Sequence, residues 1–445
     1  MRKSIVALVL CTTARIAAAQ WDVEQPLTQT NADIFGEGIA TSGSTVHVVY
    51  GNSDIRYRKS TDNGATWSSE KLIGAGVLHL TDPIIADGND VWVVYLADIQ
   101  TQMDWCCPRD DGNIYLLHSG DGGATWDGPQ KLTTSRSAFR LSIAYAANTL
   151  HLVWMDFRTN AWDTYYLRSR DRGVTWDPEK RIAQAAGTFG AERPQIAVRG
   201  NGVHVTIWDD RGTNPSCMAG PTFTFAVCPD TFYLGSLDGG DTWGIEVPVS
   251  YSGAAISGRN DVAVAGASSV VINFNRSEEN TADANPHMFT VRSADNGATW
   301  QPAIQLTNTA GSSDHGSIIG DGRAVHLAWH DSRSGSLAIY YALSTTEGQS
   351  WQLDEQVSTS SAEASTPLLA VTSGFVHALW LDKRSGSYQI YYRRRAVAAI
   401  PGGDGGTGSD GEPPPSEDGC GCRSARPSWL PLLAFALLFS RRRGR

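Results

Sequence analysis

Short runs of alternating apolar and polar residues recur along most of the chain. Thr149–Trp154 (TLHLVW) and Val325–Trp329 (VHLAW) are two of them, and a second run follows each after a polar turn, as at Ala338–Ala342. Period-two alternation that is rich in β-branched and aromatic residues predicts β-strands. One more strand precedes each pair, as at Ile143-Ala144, and another follows it, as at Trp126–Thr133. The pattern therefore predicts repeated units of four antiparallel strands.

An eight-residue box separates the third predicted strand from the fourth. Its Gly supplies a positive φ, its Asp carboxylate can accept backbone N–H bonds, and its Trp packs a large apolar face between strands. This composition predicts a structural hairpin turn. The five full copies are Ser60–Trp67, Ser119–Trp126, Ser169–Trp176, Ser236–Trp243 and Ser293–Trp300, and a sixth copy at Ser344–Trp351 has Thr346 in place of the Asp.

The number of units follows from the strands on either side of the boxes. Seven fourth strands begin at a Trp, and the first of them, Trp21–Thr28, has no partners before it. Seven three-strand sets are also present, and the last, Ser365–Arg395, has no fourth strand after it. The N-terminal strand is therefore predicted to complete the last unit, which removes the open edges of a linear stack. The predicted fold is an all-β, seven-bladed β-propeller with a closed ring.

The boxes resemble the Asp boxes of the sialidase (neuraminidase) superfamily, and the resemblance covers residues 21–395. It implies a sialidase-like propeller in which the boxes are structural and lie on the face opposite the ligand. Known sialidases have six blades, whereas this chain contains seven units. The structural Asp-box residues predicted here are Asp62, Asp121, Asp171, Asp238 and Asp295.

The two ends of the chain differ in composition from the repeats. Residues 1–19 combine a basic start, an apolar stretch and a small-residue exit, which predicts a secretory signal peptide before a propeller at 20–399. Residues 400–419 are a Gly/Pro/acidic segment predicted to be disordered. Residues 420–445 resemble the myxobacterial MYXO-CTERM sorting signal, with a Cys motif, a hydrophobic segment and an Arg cluster. An ordinary C-terminal membrane anchor is the alternative.

Composition and charge narrow the function further. The 445 residues carry 46 acidic and 36 basic side chains, a net charge of −10, so a general nucleic-acid role is excluded. No phosphate loop, nucleophile elbow or metal motif is present, and Asp314-His315 alone is too sparse for a metal site. We therefore expect no cofactor and no metal, and we expect membrane contact only through the C-terminal tail.

The starts of the first strands carry the candidate binding residues. Aligned blade by blade, one position holds Arg140, Arg193, Arg259 and His315 in four consecutive units. The units before them have Gly36 and Thr81 or Asp82 there, and the unit after them has Thr366. Arginine forks bind carboxylates in a bidentate way, and converging guanidiniums need an anion or acidic neighbours. The alignment predicts an anion site at the channel mouth. The alternative is that the arginines pair with Glu192 and Asp261.

The sialidase resemblance adds an expectation about this site. Sialidases hold the sialic acid carboxylate with an arginine triad, and Phe139–Ser142 (FRLS) resembles their Phe-Arg-Ile-Pro motif, with Ser in place of Pro. In sialidases this motif precedes the first box, whereas Arg140 follows the second. The family also uses a Tyr nucleophile, a Glu and an acid/base Asp. By position only, the candidates here are Tyr251, Glu192 and Asp82.

Two long loops hold all four cysteines of the propeller. In an exported protein these cysteines are expected to be oxidised. One pairing joins Cys217 to Cys228 and leaves a vicinal bond between Cys106 and Cys107, and the alternative is two bonds that join the loops. Aromatic residues nearby, among them Trp162, are candidates for stacking on sugar rings.

Three functions are compatible with the sequence. The first is a non-catalytic module, anchored at the cell surface or outer membrane or released from it, that binds glycan or another anionic ligand. The second is an exo-acting sialidase-type glycoside hydrolase, and the third is a structural envelope scaffold. A Tyr–Glu pair beside the arginines would favour the enzyme, and arginines fully paired with acids would favour the scaffold. The sequence does not indicate an oligomeric state.

Overall fold

The computed structural model describes residues 20–78, 82–103, 108–184, 190–209, 211, 230–250, 256–277 and 285–397. Within these ranges every regular element is a β-strand, and no helix is long and apolar enough to cross a membrane. The all-β prediction is confirmed for this part of the chain. Cys106, Cys107, Cys217, Cys228, Tyr251 and the two terminal segments lie outside the described residues.

Five sheets each have four antiparallel strands. The strands of each sheet are named below in the order in which neighbours pair. The fourth strand of each sheet begins four residues after a recurrent Trp, not at the Trp as we predicted. The five sheets are β2 (Glu37–Ser42), β3 (Thr45–Tyr50), β4 (Asp54–Ser60) and β5 (Lys71–Ala75); β14 (Glu192–Arg199), β15 (Gly202–Asp209), β16 (Asp230–Ser236) and β17 (Val247–Pro248); β18 (Ile256–Ala265), β19 (Ser269–Ser277), β20 (His287–Ser293) and β21 (Ile304–Gln305); β22 (Ser313–Asp321), β23 (Ala324–Asp331), β24 (Ala338–Ser344) and β25 (Glu355–Gln356); β26 (Ala364–Thr372), β27 (Phe375–Asp382), β28 (Gln389–Ala396) and β1 (Gln25–Pro26).

A sixth sheet has eight strands and consists of two four-stranded halves. The halves meet through a single residue pair, Ala138 with Gly112. Each half repeats the antiparallel order of the other sheets. The strands are β6 (Ile84–Asp87), β7 (Asp90–Met103), β8 (Pro108–Ser119) and β9 (Gln130–Lys131), followed by β10 (Ala138–Ala146), β11 (Thr149–Asp156), β12 (Asp163–Ser169) and β13 (Lys180–Ala183).

The N-terminal segment lies in the same sheet as the C-terminal strands. In β1, Gln25 pairs with Tyr392, and Trp21 forms an isolated bridge with Arg395. The Leu27 amide donates to the Ile390 carbonyl at 2.8 Å. Residues that are 363 or more positions apart in sequence are therefore hydrogen-bonded in one sheet.

Apolar residues are buried between neighbouring sheets. One core cluster packs Val49 of β3 against Val93 of β7, and each following four-stranded unit is joined to the next in the same way. A further cluster joins Val48 and Tyr50 of β3 to Leu379 of β27 and Tyr392 of β28. The apolar core therefore also connects the first four-stranded unit to the last.

A buried histidine–tyrosine pair recurs in five units. In each, Nδ1 of a histidine on the second strand lies 2.6–2.8 Å from a tyrosine hydroxyl on the third strand. Each tyrosine also packs edge-to-face on the recurrent Trp of the adjacent unit, at 4.9–5.3 Å between ring centroids. We name these pairs the latches. They are His47–Tyr57, His151–Tyr166, His204–Tyr233, His326–Tyr341 and His377–Tyr392.

The box turns have the same internal hydrogen bonds in every full copy. In the first box, Asp62 Oδ1 accepts the Thr66 backbone N–H at 2.9 Å, and Oδ2 accepts the Thr66 hydroxyl at 2.7 Å. These bonds, together with the Ser60 hydroxyl, lower the pKa of Asp62 to about 2. The same pattern holds Asp121, Asp171, Asp238 and Asp295.

The glycine of the box is required by packing as well as by its backbone conformation. Gly297 has φ 88°, and a Cβ on it would lie 2.1 Å from the Tyr233 hydroxyl oxygen of a latch. In four of the five full boxes, at Gly64, Gly123, Gly240 and Gly297, the glycine makes room for the tyrosine of a neighbouring unit. Through this contact the box helps to join neighbouring four-stranded units.

Candidate functional site

The predicted anion-binding residues lie together around one cavity of about 90 Å³. Arg140, Arg193, Arg259 and His315 contribute to its lining from the starts of β10, β14, β18 and β22. The aligned Thr366 of β26 lines the same cavity. The residues that the alignment of first strands places at one position therefore also lie around one cavity in the structure.

A local irregularity in each strand positions these side chains. The antiparallel register shifts at Arg140, Arg193, Arg259, His315 and Thr366 in the five strands β10, β14, β18, β22 and β26. Four of the five residues have left-handed backbone conformations, with φ from 42° to 54°: Arg140, Arg193, His315 and Thr366. Such conformations cost free energy in residues other than glycine, and bulges of this kind redirect side chains near functional sites.

The guanidiniums of Arg140 and Arg259 are desolvated, and the charge of Arg193 repels both. Burial lowers the pKa of Arg140 to about 9, with further lowering by Arg193 and Arg259, while Glu192 opposes the shift. Burial and the charge of Arg193 lower the pKa of Arg259 to about 10. Arg259 Nε lies 3.8 Å from Asp314 Oδ2. Among the described residues, neither Arg140 nor Arg193 has a carboxylate at ion-pair distance.

Aromatic rings support two of the arginines. The guanidinium carbon of Arg140 lies 5.3 Å from the Phe139 ring centroid, and that of Arg193 lies 5.2 Å from the Trp208 centroid. Arg193 Nε is buried without a hydrogen-bond partner among the described residues. The cavity therefore carries guanidinium charge, which favours a bound anion.

Three buried carboxyl groups also line the cavity. Burial raises the pKa of Glu37 to about 8, against the opposing Thr366 hydroxyl bond, and raises that of Asp82 to about 6. Burial and the charge of Asp82 raise the pKa of Asp261 as well. Asp261 accepts the backbone N–H groups of Val262 and Ile318. The carboxylate of Asp261 is thus used by backbone amides, which argues against the predicted alternative of an Arg–Asp261 pair.

A histidine cluster lies on one side of the arginines. Donor atoms of Asp314, His315 and His330 lie within 4.8 Å of one another, and the two imidazole centroids are 4.5 Å apart. Such a trio can hold a metal ion, but Arg259 lies beside Asp314 and the Thr366 N–H faces His330 Nδ1 at 3.4 Å. These positive and donor groups favour an anion over a cation at this place.

The candidate catalytic trio of the sequence is not assembled in the described residues. Asp82 lines the cavity. Glu192 stands at the start of β14 beside Arg193, and its charge opposes the lowering of the Arg140 pKa. Tyr251 lies outside the described residues, and no tyrosine is among the described residues that line the cavity. Trp162 is only 5% exposed, so it cannot stack on a sugar ring.

Sequence reasoning missed Glu37 and His330 and undervalued Asp314. Glu37 adjoins the aligned position in the first unit, where the alignment placed Gly36. His330 stands between Trp329 and Asp331, and a Trp and an Asp recur with this spacing in other units, where the residue between them varies. The only signal in the sequence was that one unit carries two such histidines, His315 at the aligned position and His330 between Trp329 and Asp331.

Comparisons with known proteins support the fold. No protein-family model and no curated protein sequence matches the chain. An ulvan lyase of polysaccharide lyase family PL25 is similar with a TM-score of 0.58 at 11% identity, covering 81% of this chain and 94% of that one. A protein of unknown function from Dyadobacter fermentans DSM 18053 has a TM-score of 0.53 at 12% identity, with coverage of 86% and 100%. The chain is therefore a β-propeller with structural neighbours of the same fold.

Proposed function

We propose that this chain is an exported, seven-bladed β-propeller that binds an acidic glycan, or another anionic ligand, through Arg140, Arg193 and Arg259. The observation that carries the proposal is the presence of three partly buried guanidiniums around one cavity, two of them without a carboxylate at ion-pair distance among the described residues. Buried positive charge of this kind is costly unless an anion neutralises it.

The seven-bladed ring follows from dividing the eight-stranded sheet at its single residue pair, Ala138 with Gly112. Two four-stranded units then join the five separate sheets. The support for closure is the pairing of β1 with β28 and the core cluster that connects β27 and β28 to β3. In this arrangement the starts of all the first strands meet at one mouth, where the arginines lie.

The size of the cavity limits what enters it. Pockets that enclose whole small molecules measure about 300–1,000 Å³, whereas this cavity measures about 90 Å³. It therefore suits a carboxylate or sulfate group, with the remainder of the ligand outside. An ulvan lyase bound to -[GlcA(1-4)Rha3S]- has a TM-score of 0.57 to this chain, so the fold is compatible with an acidic glycan.

Replacing Arg193 with Ala is expected to weaken an acidic glycan about tenfold or more and to affect neutral glycans much less. Arg193 is the central arginine, and a charge-assisted hydrogen bond contributes about 1.5–3 kcal/mol, where 1.4 kcal/mol is a factor of ten. The measurement is binding of purified protein to an array of sialylated, uronate-containing and neutral glycans, followed by titration of the acidic glycans that bind.

Arg170→Ala is the matched control, because Arg170 is 55% exposed and pairs with Asp241 within the box region. It should bind like the unmodified protein. If the unmodified protein binds acidic and neutral glycans equally, and Arg193→Ala changes neither, the arginines are structural and the scaffold alternative gains. Turnover of a fluorogenic sialoside that disappears in Arg193→Ala would instead support the sialidase-type hydrolase.

We also propose that residues 420–445 anchor the propeller at the cell surface. The support is the order of linker, Cys motif, hydrophobic segment and Arg cluster in the sequence. Removal of residues 420–445 is expected to release folded propeller into the medium, because the proposed anchor is then absent. Immunoblots of the cell and medium fractions measure this. Retention of the truncated protein on the cells would mean that another segment anchors it.

A further inference from the structure

His315 is held as a base at the edge of the arginine cavity. Its Nδ1 lies 3.2 Å from Asp314 Oδ2, and its backbone N–H donates to Asp314 Oδ1 at 2.6 Å. This side-chain contact is not a hydrogen bond, but a negative carboxylate 3.2 Å from Nδ1 favours the tautomer with its proton on Nδ1 and its lone pair on Nε2. No described residue forms a hydrogen bond with Nε2, and His315 lines the cavity. The lone pair is therefore available to a ligand.

The surroundings of His315 keep the imidazole neutral. Burial lowers its pKa, Asp314 opposes this shift, and Arg259 and Arg193 add to it. The adjacent His330 is also neutral, since burial lowers its pKa to about 3 against the opposing charge of Asp314. A neutral imidazole can accept a proton near neutral pH, which is the requirement for a general base.

The arginines and this base act on the same part of a bound acid. A carboxylate held by guanidiniums makes a hydrogen on the adjacent carbon more acidic, because the developing negative charge spreads onto the neutralised carboxylate. In a uronate residue that carbon, C5, carries a hydrogen and the next carbon, C4, carries the glycosidic oxygen. In a sialoside the carbon next to the carboxylate carries no hydrogen. The arrangement therefore suits uronates and offers no such reaction to sialosides.

We infer that the cavity cleaves uronate-containing glycans by β-elimination, with His315 as the general base and Asp314 as its positioning residue. This inference rests on the proposed binding of a glycan carboxylate by Arg140, Arg193 and Arg259. It goes beyond that proposal because it adds a reaction and restricts the substrate to acids that have a hydrogen beside the carboxylate.

In the elimination, His315 Nε2 takes the C5 proton, and the electron pair of the broken C–H bond forms the C4–C5 double bond. The bond between C4 and the glycosidic oxygen breaks, and the leaving oxygen takes a proton from water. His315 then returns its proton to solvent. The products are an unsaturated uronate and a new free hydroxyl, with no oxidant or reductant consumed.

Incubation of the full-length protein with polygalacturonate, alginate, hyaluronan and a glucuronate-containing sulfated polysaccharide tests the inference. At least one of them should develop the ultraviolet absorbance of the conjugated alkene. His315→Gln should lower that rate about a hundredfold or more, the size expected for loss of a general base, while binding of the same polysaccharide persists. Asp314→Asn should keep binding and shift the pH profile of the rate, and carboxyl-reduced polysaccharide should neither bind nor react.

His118→Gln is the matched control, because His118 forms a similar pair with Asp90, at 2.7 Å, away from the cavity. It should retain full activity. Uronate binding without alkene formation overturns the elimination and leaves the proposed function standing. Equal rates for His315→Gln and the unmodified protein overturn the role of His315. Absence of both binding and alkene formation overturns the proposed function together with the inference.

Discussion

Deletion of residues 20–28 is expected to lower the free energy of unfolding by roughly 5 kcal/mol, because the segment contributes the buried Leu27 and the partly buried Trp21. A loss of this size is comparable with the whole stability of many domains. Trp21 packs edge-to-face on Tyr341 at 5.3 Å, which places it at the junction with the preceding unit. The deletion should therefore open the structure where its two ends meet.

Polar contacts of the same segment add to the expected loss. The Asp22 amide donates to the Arg394 carbonyl at 2.8 Å, and the Thr359 amide donates to Glu24 Oε1 at 2.6 Å. Glu24 also pairs with Arg384, and its side chain is only 8% exposed. Deletion removes these hydrogen bonds from the Arg394 carbonyl and the Thr359 amide and leaves Arg384 with Asp382 alone. It also exposes the edge of β28 to pairing with other chains.

Thermal melting and light scattering measure the outcome. The deleted protein should melt at a clearly lower temperature and aggregate earlier than the full-length protein. Val23→Ser is the control within the segment, since Val23 is 83% exposed and should change little. If the deleted protein melts like the full-length protein, β1 does not close the last unit and the seven-bladed arrangement is wrong.

The strands were predictable because their apolar alternation repeats with the boxes. Each unit has one box or one recurrent Trp, so even the split last unit could be recognised from Trp21 and the three strands ending at Arg395. The start of each fourth strand was not predictable. In the first box, Trp67 follows a turn tied by Asp62 and Thr66, and the ladder resumes only at Lys71. Turn geometry, which alternation does not encode, sets that boundary.

The site was partly predictable for a related reason. Alignment placed Arg140, Arg193, Arg259 and His315 in one register, and the structure brings them to one cavity. The register shifts that aim them were not visible, because arginine and histidine are uncommon at positive φ and carry no signal for it. Glu37 was hidden as well, since it comes to the cavity from the first unit, where the aligned residue is a glycine.

The latches could also have been predicted from the sequence, because their histidines and tyrosines recur at fixed positions. His47, His151, His204, His326 and His377 occupy the same place on the second strand of five units, and a tyrosine recurs on the third strand. A histidine in a strand that is otherwise apolar needs a partner when it is buried. Pairing the two recurring positions would have predicted the His–Tyr bonds. The repeats therefore contain two structural devices, the box and the latch.

The latches also make the fold sensitive to acid. Burial is the largest cause that lowers the pKa of each latch histidine, to about 3 for His47, His151 and His377 and about 4 for His204 and His326. Nearby basic groups lower them further, for example Lys59 beside His47. Their ordinary value is 6.5, so below this pH the unfolded chain binds protons that the folded chain does not. Stability is therefore lost as the pH falls below about 6.5.

The cavity carboxyls act in the opposite direction. The pKa values of Glu37, Asp82 and Asp261 are raised in the folded protein, so their contribution favours folding at low pH and is lost as the pH rises. Between about pH 4.5 and 6, the five latch histidines and His330 oppose these three carboxyls, which leaves a net uptake of about three protons on unfolding. The lowered pKa of His315 adds to this uptake. Each proton corresponds to about 1.4 kcal/mol per pH unit, so the histidines prevail.

Lowering the pH from 6 to 4.5 is therefore expected to reduce the free energy of unfolding by roughly 6 kcal/mol, and the loss should steepen below about pH 4.5, where the carboxyls no longer oppose it. Urea unfolding at several pH values measures this. In His377→Gln the amide oxygen can still accept the Tyr392 hydroxyl but cannot take up a proton. This variant should be somewhat less stable at pH 7, and its stability should decline more slowly, by about one proton, on acidification. A free energy of unfolding that stays constant from pH 6 to 4.5, or an unchanged slope in His377→Gln, would mean that the latch histidines do not govern acid unfolding.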